Sequence, residues 1–293
     1  MKEYKNTNDL IDFLIAKGVK VNDRSFTFNT IEKYSYYSIV NTYKSIFKDS
    51  NGNYVNNVTF EEIYALFEFD KELKLIFLKY ILEIEYLIRT KVSETISLNY
   101  GIEDYLIEKN LDDNYYTKDV INKINDEINK QKDKHDAIKH YLKNYNSIPP
   151  YVLVKILSFG ELSKLFGVLK QSDKQLISKS FKISDKILKE TLTNISMVRN
   201  ICAHNDRLYN FRSKFLISFK NIDRDYINID NLTNIYMIMK SMELLLNDKF
   251  KNEFEILVND KINDLRNKII SIDFDLILKA MGFPNINTIE ENI

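Results

Sequence analysis

The chain has 293 residues, long enough for one large domain or a core with an appended subdomain, and 44% of them are hydrophobic, enough to fill an interior. Six glycines and three prolines are too few turn formers for a many-stranded sheet protein, so composition points to an all-α fold of long helices with few connections. Lys plus Arg and Asp plus Glu both total 42, which excludes a globally basic nucleic-acid binder and confines any RNA site to a local patch.

Thr7 or Asn8 caps a first helix that ends before Gly18, and a second helical region is expected from about Phe28 to Phe47. Asp49 to Asn53 (DSNGN) is the clearest turn. After Thr59, a cap, the pattern predicts a short helix and then a long one from about Asp70 to Asn99, marked by Leu73, Ile76, Phe77, Tyr80, Ile81, Ile84, Leu87, Ile88 and Val92. Arg89 follows Glu85 by four residues, the spacing of an intrahelical ion pair; the competing reading makes it an RNA contact.

Residues 101–147 are polar, with helical periodicity in Val120, Ile121, Ile124 and Ile128, and read as an insertion bordering an RNA groove. His135 and His140 fall there, five residues apart and with no carboxylate or cysteine at metal-ligand spacing, so they are expected as exposed histidines. Pro149-Pro150 begins a helical pair with Gly160 at the junction; its stripe of Val152, Ile156, Leu162, Leu165 and Phe166 is a core face. A further helix after Ser184 runs through Leu188, Leu192 and Ile195 into Arg199-Asn200-Ile201-Cys202-Ala203-His204. Leu232 to Leu246, Phe254 to Ile270 and Phe274 to Met281 are also helical. The division expected is one helical domain over 1–219 and a C-terminal helical extension over 220–293 packed on it.

The segment Arg199 to His204 carries the chemistry. On a helix Asn200 and His204 share a face, with Arg207 one turn later. Arg199 lies about 140° round the axis from His204, an angle its long stem can bridge to a phosphate held beside the imidazole. Histidine exchanges a proton with a ribose 2′-OH or a leaving 5′-oxygen near neutral pH, and arginine stabilises charge on the phosphoryl oxygens. Asn200 is an auxiliary that orients the imidazole or bonds a phosphate oxygen. Between Arg199 and Lys220 five basic residues, Arg199, Arg207, Arg212, Lys214 and Lys220, face one acid, Asp206, and form the candidate phosphate patch.

The lone cysteine, Cys202, excludes an internal disulfide, fits a reducing cytoplasm, and reads as a small packing residue rather than a nucleophile. The apolar run after Asn8 is broken by Asp12 and followed by Lys17-Gly18, unlike a secretory signal, and no uncharged stretch reaches the roughly 18 residues of a membrane span. A soluble, cytoplasmic protein with no membrane partner is expected. No Gly-rich phosphate loop, internal repeat or metal-ligand cluster occurs, so neither a cofactor nor a metal is expected.

Four ordered segments resemble the Abi family of abortive-infection proteins of the AbiD/AbiF type, which contain a HEPN domain. Leu10 to Gly18 (LIDFLIAKG) with Tyr34-Ser35-Tyr36-Tyr37 is similar to the family's opening helix and "ISYYRL" segment. Phe60 to Arg89 (IYALFEFDKELK, then LEIEYLIRT) resembles "LYEFDRKLR" and "ERIEVSLR", and Pro149 to Phe166 resembles "PPLWVLIELLTFGTLSKLY". Met197 to Asn210 is close to "VRNICAHHSRLWNR", with Asn205-Asp206 for His-Ser and Tyr209 for Trp, and both Arg199 and His204 present. The resemblance implies a HEPN-like helical bundle with additional N- and C-terminal helices over most of 7–215.

It also implies a metal-independent endoribonuclease toxin of antiphage defence, cutting RNA by 2′-OH attack, with Arg199 and His204 catalytic, Asn200 auxiliary, and Arg207, Arg212, Lys214 and Arg89 as RNA contacts. HEPN nucleases pair two Arg/His motifs across a dimer, and this chain carries one, so a homodimer is implied. A neutralising non-coding RNA or antitoxin protein is the partner such a toxin needs. The alternative is a non-catalytic HEPN-like RNA-binding or protein-interaction module.

Overall fold

The computed structural model describes residues 4–204, 206–219 and 232–284. Asn6 and Asp23 accept the backbone N–H groups of Asp9 and Phe26, and so cap α1 (Thr7–Ala16) and α2 (Arg24–Tyr34). The helical region expected over 28–47 is broken at Ser35, whose φ of 66° lies in the left-handed region. The Ser35 hydroxyl then accepts from Ser38 N–H, a local bond that competes with the helical ladder, and the chain continues as a π turn (Tyr37–Asn41) and a 3-10 turn (Lys44–Phe47).

A single helix, α3 (Phe60–Tyr100), replaces the expected short and long pair. Its buried face runs unbroken through Ile63, Leu66, Leu73 and Phe77, so nothing interrupts the helix before Asp70. Thr59 and Glu62 form a reciprocal capping box at its start. Gly101, at φ 78°, ends it by returning its N–H to the Ser97 carbonyl. At about 1.5 Å per residue the rod is roughly 60 Å long.

The polar stretch after it folds as α4 (Thr117–Gln131) and α5 (Asp136–Tyr145). Next come α6 (Pro150–Ile156), α7 (Phe159–Val168), α8 (Gln171–Lys179) and α9 (Asp185–His204). The α6–α7 junction is at Leu157-Ser158, where Ser158 and Glu161 make a second capping box; Gly160 lies inside the first turn of α7. A two-stranded antiparallel ribbon, β1 (Arg212–Ser213) with β2 (Thr233–Asn234), pairs Arg212 with Asn234. The last helices are α10 (Ile235–Glu243), α11 (Asp248–Arg266) and α12 (Asp275–Met281). The fold is predominantly all-α.

The central rod α3 packs on α6, α9 and α11, while α7 covers α9 and α4 lies against α6 and α7. Asp173 of α8 accepts from Asn99 Nδ2 (2.7 Å) and Tyr100 Oη (2.5 Å) at one end of the rod. The far end of α9 returns to Lys74, so α9 runs back antiparallel to α3. On another side Phe254 of α11 wedges between Phe77 and Tyr80, with ring centroids 5.1 and 4.7 Å away. Buried apolar side chains from Ile11 to Met281 form one connected core. Among the described residues, no helix is long and apolar enough to cross a membrane.

Candidate functional site

Ser184 accepts the N–H of Ile187 and starts α9, whose core face is Leu188, Leu192, Ile195, Val198 and Cys202. At 100° per residue that register turns Asn200 and His204 about 160° to 200° from Cys202, and both are exposed. His204 is the last residue of the helix. Arg199 lies about 60° from Cys202 and is half-buried, with its Nε shielded from solvent and without a hydrogen-bond partner. No side-chain atom of Arg199, Asn200 or His204 is engaged by another described residue.

The exit from this helix end is fixed by groups that sequence reading did not single out. Asp70, fully buried on α3, accepts the N–H groups of Leu208 (3.1 Å) and Tyr209 (2.6 Å) and the Tyr43 hydroxyl (2.6 Å). Lys74, one turn on, stands 3.5 Å from the same carboxylate and donates to the Asp206 carbonyl at 3.3 Å. Burial pushes the Asp70 carboxyl above its usual range, against the pull of Tyr43, Lys74 and the two amides. Tyr43 stacks on Tyr209 with centroids 6.1 Å apart, and Arg207 lies over the same Tyr209 ring. The available signal was register: Asp70 and Lys74 share the buried face with Leu66, Leu73 and Phe77.

The sequence profile of the Abi-like protein family matches residues 29–210, more than half of the chain. The chain belongs to the Abi-like protein family. The matched span includes α3, α9 and the whole clamp formed by Tyr43, Asp70, Lys74 and Tyr209, and this family assignment suggests a part in abortive-infection defence. No curated protein and no solved structure matches the chain.

In this Abi-like chain two of the basic residues clustered in sequence are held by backbone carbonyls. Arg207 donates to the Thr42 carbonyl at 2.5 Å. Arg212 donates to the Ala280 carbonyl at 2.8 Å, at the end of α12. Lys214 is exposed, whereas Lys220 lies outside the described residues. Arg89 pairs with Glu85 and donates to the Leu157 carbonyl at 2.7 Å, holding the end of α6 against α3. His140 is exposed and His135 is half-buried. Among the described residues no group of three or more His, Cys, Asp or Glu side chains converges as metal ligands do.

Proposed function

We propose that this Abi-like chain is a metal-independent HEPN-type endoribonuclease that acts as a toxin in abortive-infection defence. The observation that carries the reading is the contrast at the end of α9: the backbone just beyond it is clamped to buried Asp70, while the imidazole and amide of His204 and Asn200 are exposed and have no hydrogen-bond partner among the described residues. A side chain on a rigid element with no internal partner is available to a substrate. Arg199, one helical step before Asn200, carries the guanidinium suited to a phosphodiester.

In the proposed reaction the ribose 2′-oxygen attacks its neighbouring phosphorus and the bond to the 5′-oxygen breaks. The 2′-OH proton leaves to one base and the departing 5′-oxygen takes a proton from one acid. The products are a 2′,3′-cyclic phosphate and a 5′-OH. His204 supplies one proton transfer per subunit, and a second copy of the chain supplies the other. Arg199 holds the charge that gathers on the non-bridging oxygens. Lys214 is the exposed cation among the described residues of this segment; Arg207, Arg212 and Arg89 act through the backbone carbonyls they hold.

The test is to incubate purified protein with RNA in excess EDTA and to identify the product ends. Cyclic phosphate and 5′-OH ends are expected. His204→Ala and Arg199→Ala each lower the rate by about 10²–10⁴-fold while the helical circular dichroism signal and melting are retained. Retained cleavage in both variants, or a strict need for added divalent ion in the chemical step, overturns the reading. RNA binding without cyclic ends, with toxicity surviving His204→Ala, favours a non-catalytic module.

A further inference from the structure

The polar segment before Pro149 has a feature that the cleavage reading leaves unused. On α5, Tyr141 and Tyr145 lie 5.6 Å apart between ring centroids, and His140 sits 5.4 and 6.1 Å from them. Tyr151, at the start of α6, adds a further ring 6.3 Å from Tyr141, with the two hydroxyls 3.2 Å apart. Ile138 anchors α5 in the core and is fully buried, yet Tyr145 is 62% exposed and Tyr151 45%. Scattered exposed rings are ordinary; a contiguous group of them on neighbouring helices marks a contact surface.

Charge identifies what the surface contacts. From 130 to 155 there are six lysines against Asp133 and Asp136, a local excess of positive charge in a chain whose formal net charge is zero. Lys139 and Lys143, one turn apart on α5, and Lys155, one turn after Tyr151 on α6, are all exposed and have no carboxylate partner among the described residues. Rings offering π-faces, flanked by ammonium groups, are complementary to unpaired bases joined by phosphates. A duplex hides its base faces.

We propose that α5 and the first turn of α6 form a platform for single-stranded nucleic acid, with bases stacked on Tyr145, Tyr151 and the neighbouring His140 and Tyr141, and phosphates held by Lys139, Lys143 and Lys155. The platform shares no residue with the α9 motif and holds RNA whether or not the motif cuts it.

Binding of a fluorescein-labelled U12 RNA to the full-length His204→Ala protein, read by anisotropy, tests this without relying on cleavage. Tyr145→Ala with Tyr151→Ala is expected to weaken binding at least about 10-fold, two stacked bases being lost. Lys139→Gln with Lys143→Gln lowers the magnitude of the log–log salt slope by about 1.4, the loss of two phosphate contacts to a single strand. The chain has no tryptophan, so Tyr145→Trp introduces a single reporter that keeps the affinity and is quenched by U12; this variant decides the matter should the double alanine variant not fold. Unchanged affinity in a folded double alanine variant, unquenched emission from Tyr145→Trp, or equal competition by a 12-base-pair duplex overturns the platform. Loss of U12 binding in these variants, together with a wild type that never cleaves RNA, sinks the ribonuclease reading and leaves the platform standing.

Discussion

Burial pushes the Cys202 thiol up to about 12, so at neutral pH it carries no thiolate and has no nucleophile to offer. Its place on the core face of α9 makes it packing beneath Asn200 and His204. Native protein should therefore resist iodoacetamide and react only on unfolding, and Cys202→Ala should keep cleavage while lowering stability by about 1 kcal/mol. Modification of folded protein with loss of cleavage would contradict this. The split between Cys202 and its neighbours was legible in the sequence, because helical period alone separates 198 and 202 from 200 and 204. The Glu85–Arg89 pair was legible too, from its four-residue spacing, but the carbonyl partners of Arg207, Arg212 and Arg89 were not. Each donates to a carbonyl 165, 68 or 68 residues away, and side-chain spacing carries no trace of such partners.

At the scale of elements, two carboxylates on α3 tie distant segments to the rod, and each predicts a distinct phenotype. Asp70→Ala leaves Lys74 buried without its counterion and frees the amides of Leu208 and Tyr209, so a loss of about 3–5 kcal/mol is expected in denaturant unfolding. Amide exchange at Leu208 and Tyr209 should accelerate more than exchange in α11, which does not depend on the clamp. A uniform change across both would make Asp70 a general stability residue rather than an anchor of the α9 exit.

The second carboxylate, Glu62, accepts Thr59 N–H in the capping box and also the N–H groups of Ile270 (2.7 Å) and Ser271 (2.6 Å) beyond α11. Burial alone would raise this carboxyl, but the donors of Ser271, Ile270 and Thr59 outweigh it and hold it below the ordinary 4.5. A depressed carboxyl gives stability that is present above its unfolded value and is lost as pH falls through the folded one. Acid unfolding of the wild type should thus include a stability loss below about pH 4.5 that Glu62→Gln removes. Identical pH profiles would refute it. The capping box at Thr59 was half legible, since Thr59 reads as a cap; the second use of Glu62 was hidden because Ile270 and Ser271 lie 208 and 209 residues on.

For the whole molecule, scarce glycine and proline made the all-α class readable, whereas two local backbone effects moved element bounds. Ser35 breaks a helix that apolar spacing would continue, and the run from Ile63 to Phe77 fuses two helices that spacing kept apart. On the proposed reading each copy of the α9 motif brings one imidazole, His204, and one imidazole cannot serve both sides of a phosphorus in line. Activity is therefore expected to depend on self-association, with two copies of Arg199 and His204 facing one groove. Mixing Arg199→Ala subunits with His204→Ala subunits builds a composite pair in which one histidine and one arginine survive, and partial recovery of cleavage is expected over either variant alone. Because that recovery fails if both histidines are required, sedimentation of the wild type accompanies it. A protein that stays monomeric at micromolar concentration, with a cleavage rate per subunit unchanged by dilution, rules out the shared site and returns both proton transfers to groups within one chain.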